Sequence, residues 1–430
     1  MNKEILRLAV PNIISNISVP LLSTVDTALM GHLSAKHLGA VGVGSMIFNF
    51  IYWNFGFLRM GTTGMTAQAF GRQSVEEISH TMGRSFLVGI FLASLLLLFQ
   101  MPLDWAAIKL MQIDGDQGEF VSTYFRIRIW AAPAALSSYI MMGWFFGMQN
   151  ALYPLYLTVL VNLINIGLSF FFILKLQMGI EGVAWSTVIA QYAGLGLGVL
   201  LLYKKYKIYL QAFNKKIYKE ISAIRRFFSI NRDLFIRTLA LTFVFAFFYS
   251  QSSAEGTLLL AVNVILLQFV NWMSYGIDGF AFAAESLVGK YKGAGQKDQV
   301  QRTIRYSMYW GLGLAFLFSI SYGVFSGPLL HLFTNDQLVL DASKPFLLYL
   351  ILFPLAGFIC YIWDGIYIGL TASKTMRNAM IISLAFFLVI HYTLKAPFGN
   401  HGLWLSLLIF LFMRGVIQSL LYRKYGWEIE

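Results

Sequence analysis

Long apolar stretches separated by short polar segments follow one another along the whole chain. A helix that crosses a bilayer needs about 20 mostly apolar residues. Twelve stretches meet this need, at roughly 5–32, 38–70, 80–103, 122–146, 154–175, 181–203, 233–254, 257–289, 303–325, 342–368, 378–394 and 400–421. Turn chemistry separates neighbours, as where Pro154 disfavours helical geometry at Tyr153. The pattern predicts an all-α polytopic membrane protein with twelve transmembrane helices.

Composition supports this fold class and excludes others. Hydrophobic residues make up 58% of the 430 residues and charged residues 12%, whereas about 25% are charged in soluble domains. The net charge of +12 lies largely in short loops between apolar stretches, where membrane topology explains it better than nucleic-acid binding. The single cysteine, Cys360, allows neither an internal disulfide nor a cysteine-based metal site.

The distribution of Lys and Arg predicts that both termini face the cytoplasm, because basic residues concentrate in the segments of that side. The richest of these segments, 204–232, is also the longest polar stretch. It is interpreted as a linker between two groups of six spans, either an amphipathic segment on the inner membrane surface or a simple basic loop. The predicted organisation is an N-terminal lobe, 1–203, the cytoplasmic linker and a C-terminal lobe, 233–430.

Four features recur in order at a spacing of about 220 residues, which indicates an internal repeat. They are Pro133 and Pro354, Gly147 and Gly369, "GVAWS" (182–186) and "GLWLS" (402–406), and "AQAFG" (67–71) and "AESLVG" (284–289). Because each half holds six spans, both halves run in the same membrane direction. The sequence therefore predicts two pseudo-symmetric six-helix bundles, as in several secondary transporters.

The first span carries a carboxylate, Asp26, about 8 Å inside its outer end. A charge within a span is a candidate for function, and no Lys or Arg lies one turn away on the same helix. Desolvation favours the neutral form of a carboxyl group, so Asp26 is predicted to exchange protons; a capping or packing role is the alternative. Pro11 and Pro20 permit this helix to bend, although membrane helices also tolerate Pro without a role.

Polar side chains on the fifth and sixth spans are candidates for a cavity beside the first span. Asn165 and Ser169 are four residues apart and share a helix face, as do Thr187 and Gln191, and Asn162 lies one turn before Asn165. The alternative is that these groups hold the helices together through hydrogen bonds.

Further charges lie within spans of both halves. Arg59 and Asp278 occupy similar places in the two repeats and are predicted to face each other as a gate, and Asp364 is a candidate for the second lobe. Arg237 and Arg414 lie nearer predicted span ends and are expected to extend towards the interface.

Signatures of enzymes are absent from the sequence. The six histidines fall in or near loops without an HExxH motif, and no phosphate-binding loop is present. An intramembrane acyltransferase would need a His or Cys constellation, and a scaffold or receptor would not need charges in both repeats. The sequence therefore predicts a secondary transporter without a cofactor.

Several motifs resemble one known family. "VDTALMGHLSAKHLGAVGVG" and "FLRMGTTGMTAQAFG" are similar to the first two spans of MATE (multidrug and toxic compound extrusion) transporters, and "GIDGFAFAAESLVGKYKGA" and "WDGIYIGLTASKTMRN" to the DinF-like branch. The resemblance covers nearly the whole chain. It implies two six-helix lobes around a V-shaped cleft, in a monomer of the bacterial inner membrane surrounded by its lipids. It also implies cation-coupled export of small amphipathic, often cationic organic compounds.

The resemblance assigns roles to residues of the first lobe. Asp26 resembles the proton-accepting residue of the family, Pro11 the site where the first helix bends, and Asn165 and Thr187 members of the same polar network. Many relatives carry a second carboxylate where this chain has Ser169, which favours coupling to a single proton.

Two alternatives remain open. Sodium could bind in the second lobe near Asp364, because a hard cation prefers charged or carbonyl oxygens. A lipid-linked precursor flippase of the same superfamily would have a cleft rich in Arg or Lys, and here Arg59 is the main central cation.

Overall fold

A computed structural model of the chain describes residues 1–31, 35–111, 113, 115–212 and 220–426, without the side chains of 19–31, 35–38, 110 and 116. The described part is helical and contains no β-strand. Its helices are α1 (Asn2–Gly31), α2 (Ala35–Asn54), α3 (Phe57–Gly71), α4 (Val75–Leu98), α5 (Gln100–Leu110), α6 (Asp116–Arg128), α7 (Ala132–Gly147), α8 (Leu152–Phe170), α9 (Gly179–Lys205), α10 (Lys207–Gln211), α11 (Ile221–Ala254), α12 (Thr257–Gly293), α13 (Lys297–His331), α14 (Gln337–Ser343), α15 (Leu347–Gly369) and α16 (Ser373–Tyr425).

The helices that could cross a membrane are consistent with the twelve predicted spans, when α1 is added to ten long apolar stretches and the last of these is counted as two helices. Ten stretches of the described residues are long and apolar enough to cross a membrane. The last of them, α16, is divided at Gly399, which has φ 49° and ψ −126°, a conformation that interrupts the helix and that L side chains rarely adopt. Helix α1 precedes the ten and, with 30 residues, measures about 45 Å.

The chain folds into two compact units. The N-terminal unit is Ile14–Phe227, and the C-terminal unit is Phe228–Glu430 together with Met1–Ile13. Within the N-terminal unit, α7 packs against α3 and α4, and α8 packs against α9. Within the C-terminal unit, α15 packs against α12, α13 and α16.

The first residues of α1 belong to the C-terminal unit, although the sequence predicted one lobe from residue 1 to 203. Ala9 and Ile13 lie against Gly279 of α12. The hydroxyl of Tyr291 on the same helix donates to the carboxylate of Glu4, at 3.0 Å from both oxygens. The division between the units therefore falls inside α1, two residues after Pro11.

The predicted linker, 204–232, differs from the structure at its end. Helix α11 already begins at Ile221, because residues at helical spacing, Phe227, Ile230 and Leu234, are buried and extend its apolar face. Just before α11, the carboxylate of Glu220 accepts a hydrogen bond from Arg84 of α4. Residues 213–219 lie outside the described part.

Two glycines bring α7 and α3 into backbone contact in the N-terminal unit. A Cβ atom on Gly143 would overlap the carbonyl oxygen of Arg59, and one on Gly147 would lie 2.5 Å from the Cβ of Thr66. Small residues four apart are a common means of close helix packing in membranes.

The C-terminal unit repeats this contact. A Cβ atom on Gly365 of α15 would overlap the carbonyl oxygen of Ala281 on α12, and one on Gly369 would lie 2.5 Å from that of Glu285. A single offset in sequence relates Gly143 to Gly365 and Gly147 to Gly369, and the same offset relates Arg59 to Ala281. The structure thus supports the internal repeat that the sequence indicated.

Candidate functional site

A seam of neutral polar side chains joins α1 to α8 in the N-terminal unit. The hydroxyl of Ser15 donates to Thr158 at 3.0 Å. One turn further along both helices, the amide of Asn162 donates to the carbonyl and hydroxyl oxygens of Ser18, each at 3.2 Å. Because residue numbers rise together on the two helices, α1 and α8 run in the same direction here.

The neighbouring part of the surface of α8 is joined to α9. The amide nitrogen of Asn165 donates to the hydroxyl of Thr187 at 2.9 Å, and the hydroxyls of Ser169 and Ser186 lie 2.7 Å apart. Asn165, Ser169 and Ser186 are buried. The structure thus brings Asn165 and Thr187 together as expected, whereas Gln191 is half-buried and forms no hydrogen bond with a described residue.

The amide oxygen of Asn165 has no hydrogen-bond donor among the described residues, although the side chain is only 2% exposed. An unsatisfied buried acceptor costs about 1–3 kcal/mol, and its position in a seam between three helices makes it a candidate for binding a donor group.

Two predicted residues of the first helix, Asp26 and Pro20, have side chains outside the described residues. The backbone of α1 is helical through both positions and through Pro11, which is buried. The helix therefore has no interruption at Pro11, and the bend stays a prediction.

Four polar side chains form a buried cluster in the C-terminal unit. One carboxylate oxygen of Asp364 accepts hydrogen bonds from Arg237 and, at 2.9 Å, from Arg414. Its other oxygen accepts from the amide of Gln418 at 2.8 Å. Arg237 is 5% exposed, Arg414 1% and Gln418 fully buried.

The expectation that both arginines extend to the membrane interface was wrong. Arg237 lies sixteen residues after the start of α11, which begins earlier than predicted, and Arg414 lies eleven residues before the end of α16. Both side chains are turned to the buried Asp364 instead of the helix ends. Arg59 is therefore not the main internal cation, which removes an argument used against a flippase.

Arg59 and Asp278 remain untested as a gate. Arg59 is half-buried, with its guanidinium carbon 5.9 Å from the centre of the Phe146 ring. Asp278 is half-buried on α12 and interacts electrostatically with Arg414. The two residues belong to different units, so their pairing stays a prediction.

A further buried network was missed by the sequence analysis. The amides of Asn263 and Asn400 form reciprocal hydrogen bonds of 2.7 and 3.0 Å. Asn263 also donates to Ser252 at 2.8 Å and accepts from the indole of Trp404 at 2.7 Å. These bonds join α11, α12 and α16. Since every hydrogen-bonding group of the Asn263 side chain has a partner, the network is assigned a structural role.

The sequence held some signal for the missed residues. Arg414 and Gln418 are four residues apart and so share a helix face, and Ser186 directly precedes the predicted Thr187. Nothing in the sequence linked Asn263 to Asn400, which are 137 residues apart.

Comparison with known proteins places these observations in a family. The MatE family model matches the chain twice, over residues 11–171 and 234–395. The starts of the two matches are separated by nearly the same offset as the paired glycines.

Known relatives extend over almost the whole chain. The DNA damage-inducible protein F of Escherichia coli is 34% identical over 427 residues, which cover 99% of this chain and 92% of that protein. The "Probable multidrug resistance protein NorM" of Thermotoga maritima is 24% identical over 450 residues, covering 100% and 93%.

Solved structures share the fold. An outward-facing multidrug resistance MATE transporter of the MOP superfamily superposes with a TM-score of 0.86 at 20% identity, covering 98% of this chain and 95% of that one. A mutant of the Vibrio cholerae MATE transporter VcmN gives a TM-score of 0.86 at 20% identity, covering 99% and 98%. With the family model matched in both halves and a relative of 34% identity, the chain belongs to the MATE family and is a multi-pass membrane transporter, not an enzyme.

Proposed function

We propose that the protein is a proton-coupled antiporter that exports amphipathic, often cationic organic compounds by alternating access. The names of NorM and of the outward-facing transporter, both concerned with multidrug resistance, support export of organic compounds. The polar seam between α1, α8 and α9 supports the position of the coupling site.

The proposed proton carrier is Asp26. Counted from the contact between Ser18 and Asn162, Asp26 is eight residues further along α1 and Ser169 is seven residues further along α8. Because the two helices run in the same direction and rise 1.5 Å per residue, the depths of these two positions differ by about 1.5 Å. Asn165 lies one turn before Ser169, so the donor-free amide oxygen is in the same part of the seam.

This amide oxygen is the observation that carries the proposal. A protonated carboxyl group can donate a hydrogen bond, whereas a carboxylate only accepts. Protonation of Asp26 would therefore supply a donor for Asn165 and change the hydrogen bonds of Thr187. Bending of α1 near Pro11 would then change the shape of the N-terminal bundle. The substrate would be released if its affinity for the new shape is lower.

Sodium coupling through Asp364 is less favourable. Its two oxygens already accept from two guanidinium groups and an amide. A sodium ion there would have to displace these donors and approach two fixed positive charges.

The test is transport in proteoliposomes with imposed gradients of pH or sodium, using a fluorescent amphipathic cation. We expect Asp26→Asn to abolish transport driven by the pH gradient, because an amide does not titrate. A matched control is Asp104→Asn, which makes the same change at a carboxylate of the N-terminal unit that is buried and bonded to Ser122 and Arg126.

Full proton-driven export by Asp26→Asn would disprove the assignment of the carrier. Transport that depends on sodium and does not respond to the pH gradient would disprove the choice of ion.

A further inference from the structure

Both described ends of the predicted linker carry exposed basic side chains in the N-terminal unit. Between residues 204 and 226 the chain has eight Lys or Arg and a single acidic residue, Glu220. The carboxylate of Glu220 is already engaged by Arg84 of α4. Five of the eight basic side chains are described, and we call them the linker surface. They are Lys204, Lys205, Lys207, Arg225 and Arg226, all exposed.

The charge of the linker surface is not neutralised within the described chain. None of its five residues forms an ion pair with another described residue, whereas Arg72, for example, pairs with Glu77 at 2.6 Å. The ammonium group of Lys205 instead lies 5.7 Å from the centre of the Tyr153 ring. A contact with an aromatic face does not neutralise an ammonium group, so the surplus of positive charge is open to an anionic partner.

The fold fixes which side chains of the first linker residues point away from the protein. Tyr206 is buried and packs edge-on against Trp144, with ring centres 5.0 Å apart, and its hydroxyl accepts from Asn150 at 3.1 Å. Tyr209, almost one turn later, lies 5.7 Å from the same indole. Ile208, between the two tyrosines in sequence, is 59% exposed. The anchored tyrosines therefore hold an apolar side chain outward together with the lysines.

The first turns of α11 expose apolar and basic side chains on one face. Ile221, Arg225 and Phe228 are four and three residues apart and so share a helix face, and all three are exposed, Ile221 at 76%. Phe227, by contrast, is buried. A mixture of exposed cationic and apolar side chains is typical of a segment at the membrane interface, where the apolar groups enter the acyl boundary and the charges reach the head groups.

The helix lengths place both groups of charges at the depth of the head groups. Helix α9 has 27 residues and α11 has 34, which correspond to about 40 and 51 Å. The hydrocarbon core of a bilayer is about 30 Å thick. The basic end of α9 and the basic start of α11 therefore extend beyond the hydrocarbon.

We propose that the linker surface binds the head groups of anionic phospholipids in the leaflet that it faces, which the positive-inside pattern predicts to be the inner one. Phosphate oxygens accept from the lysines and arginines, while Ile208, Ile221 and Phe228 enter the acyl boundary. A zwitterionic lipid compensates its own phosphate with an ammonium group, so the surface favours phosphatidylglycerol over phosphatidylcholine. This contact goes beyond the proposed transport and does not involve Asp26.

Binding of single lipid molecules to the full-length protein, purified in detergent, tests the proposal by native mass spectrometry. The probes are dioleoyl phosphatidylglycerol and dioleoyl phosphatidylcholine, which share their acyl chains and differ in the head group. The test variant carries Lys204→Gln, Lys205→Gln and Lys207→Gln. The same three lysines changed to Arg keep the charge.

A lysine close to an anionic surface contributes about fivefold to affinity. We therefore expect the triple Gln variant to bind phosphatidylglycerol at least about tenfold more weakly, with phosphatidylcholine binding unchanged and the triple Arg variant close to the wild type. The matched control removes three exposed lysines that are predicted to lie on the outer side and should bind as the wild type does. It carries Lys109→Gln, Lys175→Gln and Lys344→Gln.

Three results would overturn the proposal. The first is equal affinity of the wild type for the two lipids, and the second is an equal loss in the control, which would make the effect one of net charge. The third is displacement of phosphatidylglycerol by glycerol phosphate at the same concentration, which would assign the linker surface to a soluble anion. Because lipid binding is measured without transport, none of these results bears on proton coupling.

Discussion

Asp364 is the residue on which most of the buried charge in the C-terminal unit depends. It compensates two guanidinium groups at once, through Arg237 and Arg414. A buried cation that loses its partner keeps its full desolvation cost. The carboxylate is therefore needed for stability whether or not the cluster binds a ligand.

Asp364→Asn alone is expected to lower the stability by about 3–5 kcal/mol, because it leaves buried cations uncompensated. Adding Arg414→Gln should restore part of this loss. The thermal midpoint of unfolding in detergent measures both effects, with Asp341→Asn as a control at an exposed ion pair with Lys344, where little change is expected. A double variant less stable than Asp364→Asn would contradict the role of uncompensated charge.

Single residues show why the site was only partly predictable. Asn165 and Thr187 were found because both lie in apolar runs at helical spacing, and their contact needs only two consecutive helices. Arg237 was misjudged because the helix start was placed at residue 233, whereas α11 begins at Ile221. Its partner Asp364 is 127 residues away, and no local pattern records such a pairing.

At the scale of helices, backbone contact through glycine sets how closely α15 and α12 approach. Any side chain at Gly365 would overlap the carbonyl oxygen of Ala281. The backbone of a neighbouring helix cannot yield as a flexible side chain can, so the helices would have to separate.

Gly365→Ala is therefore expected to lower the thermal midpoint and, with it, transport. The matched control is Gly313→Ala in α13, where a Cβ atom would meet nothing of the described chain within 4 Å and where the change should stabilise by about 0.5–1 kcal/mol. Equal midpoints for the two variants would show that the contact between α15 and α12 does not limit stability.

Helix boundaries were predictable where composition or turn chemistry changes abruptly. The predicted gap between 394 and 400 contains Gly399, the residue that divides α16. The start of α11 was assigned to the linker, as an amphipathic segment or a basic loop, because its exposed charges, such as Arg225 and Arg226, set it apart from the apolar stretch that follows.

For the whole molecule, the positive-inside pattern gives an orientation that can be measured. Lys297 is the first residue of α13 and Lys344 follows this helix, and both side chains are exposed. One span separates them, so they should lie on opposite sides of the membrane.

A membrane-impermeant maleimide is expected to label Lys344→Cys in intact bacterial cells and Lys297→Cys only after permeabilisation. The native Cys360 is buried and should react little, and the unsubstituted chain is the control for it. Labelling of Lys297→Cys in intact cells would reverse the orientation and place both termini outside.

The paired glycines define which residues of the two halves correspond to each other. The backbone contacts at the paired glycines recur at one constant offset along the chain, whereas the polar and charged side chains near them differ between the two halves. At that offset, the counterpart of Asp364 in the first half is Met142, and the counterpart of Arg237 is Ser15. The same backbone contact between helices thus accommodates hydrogen bonds of neutral amides and hydroxyls near α8 in one unit and an ionic cluster at Asp364 in the other.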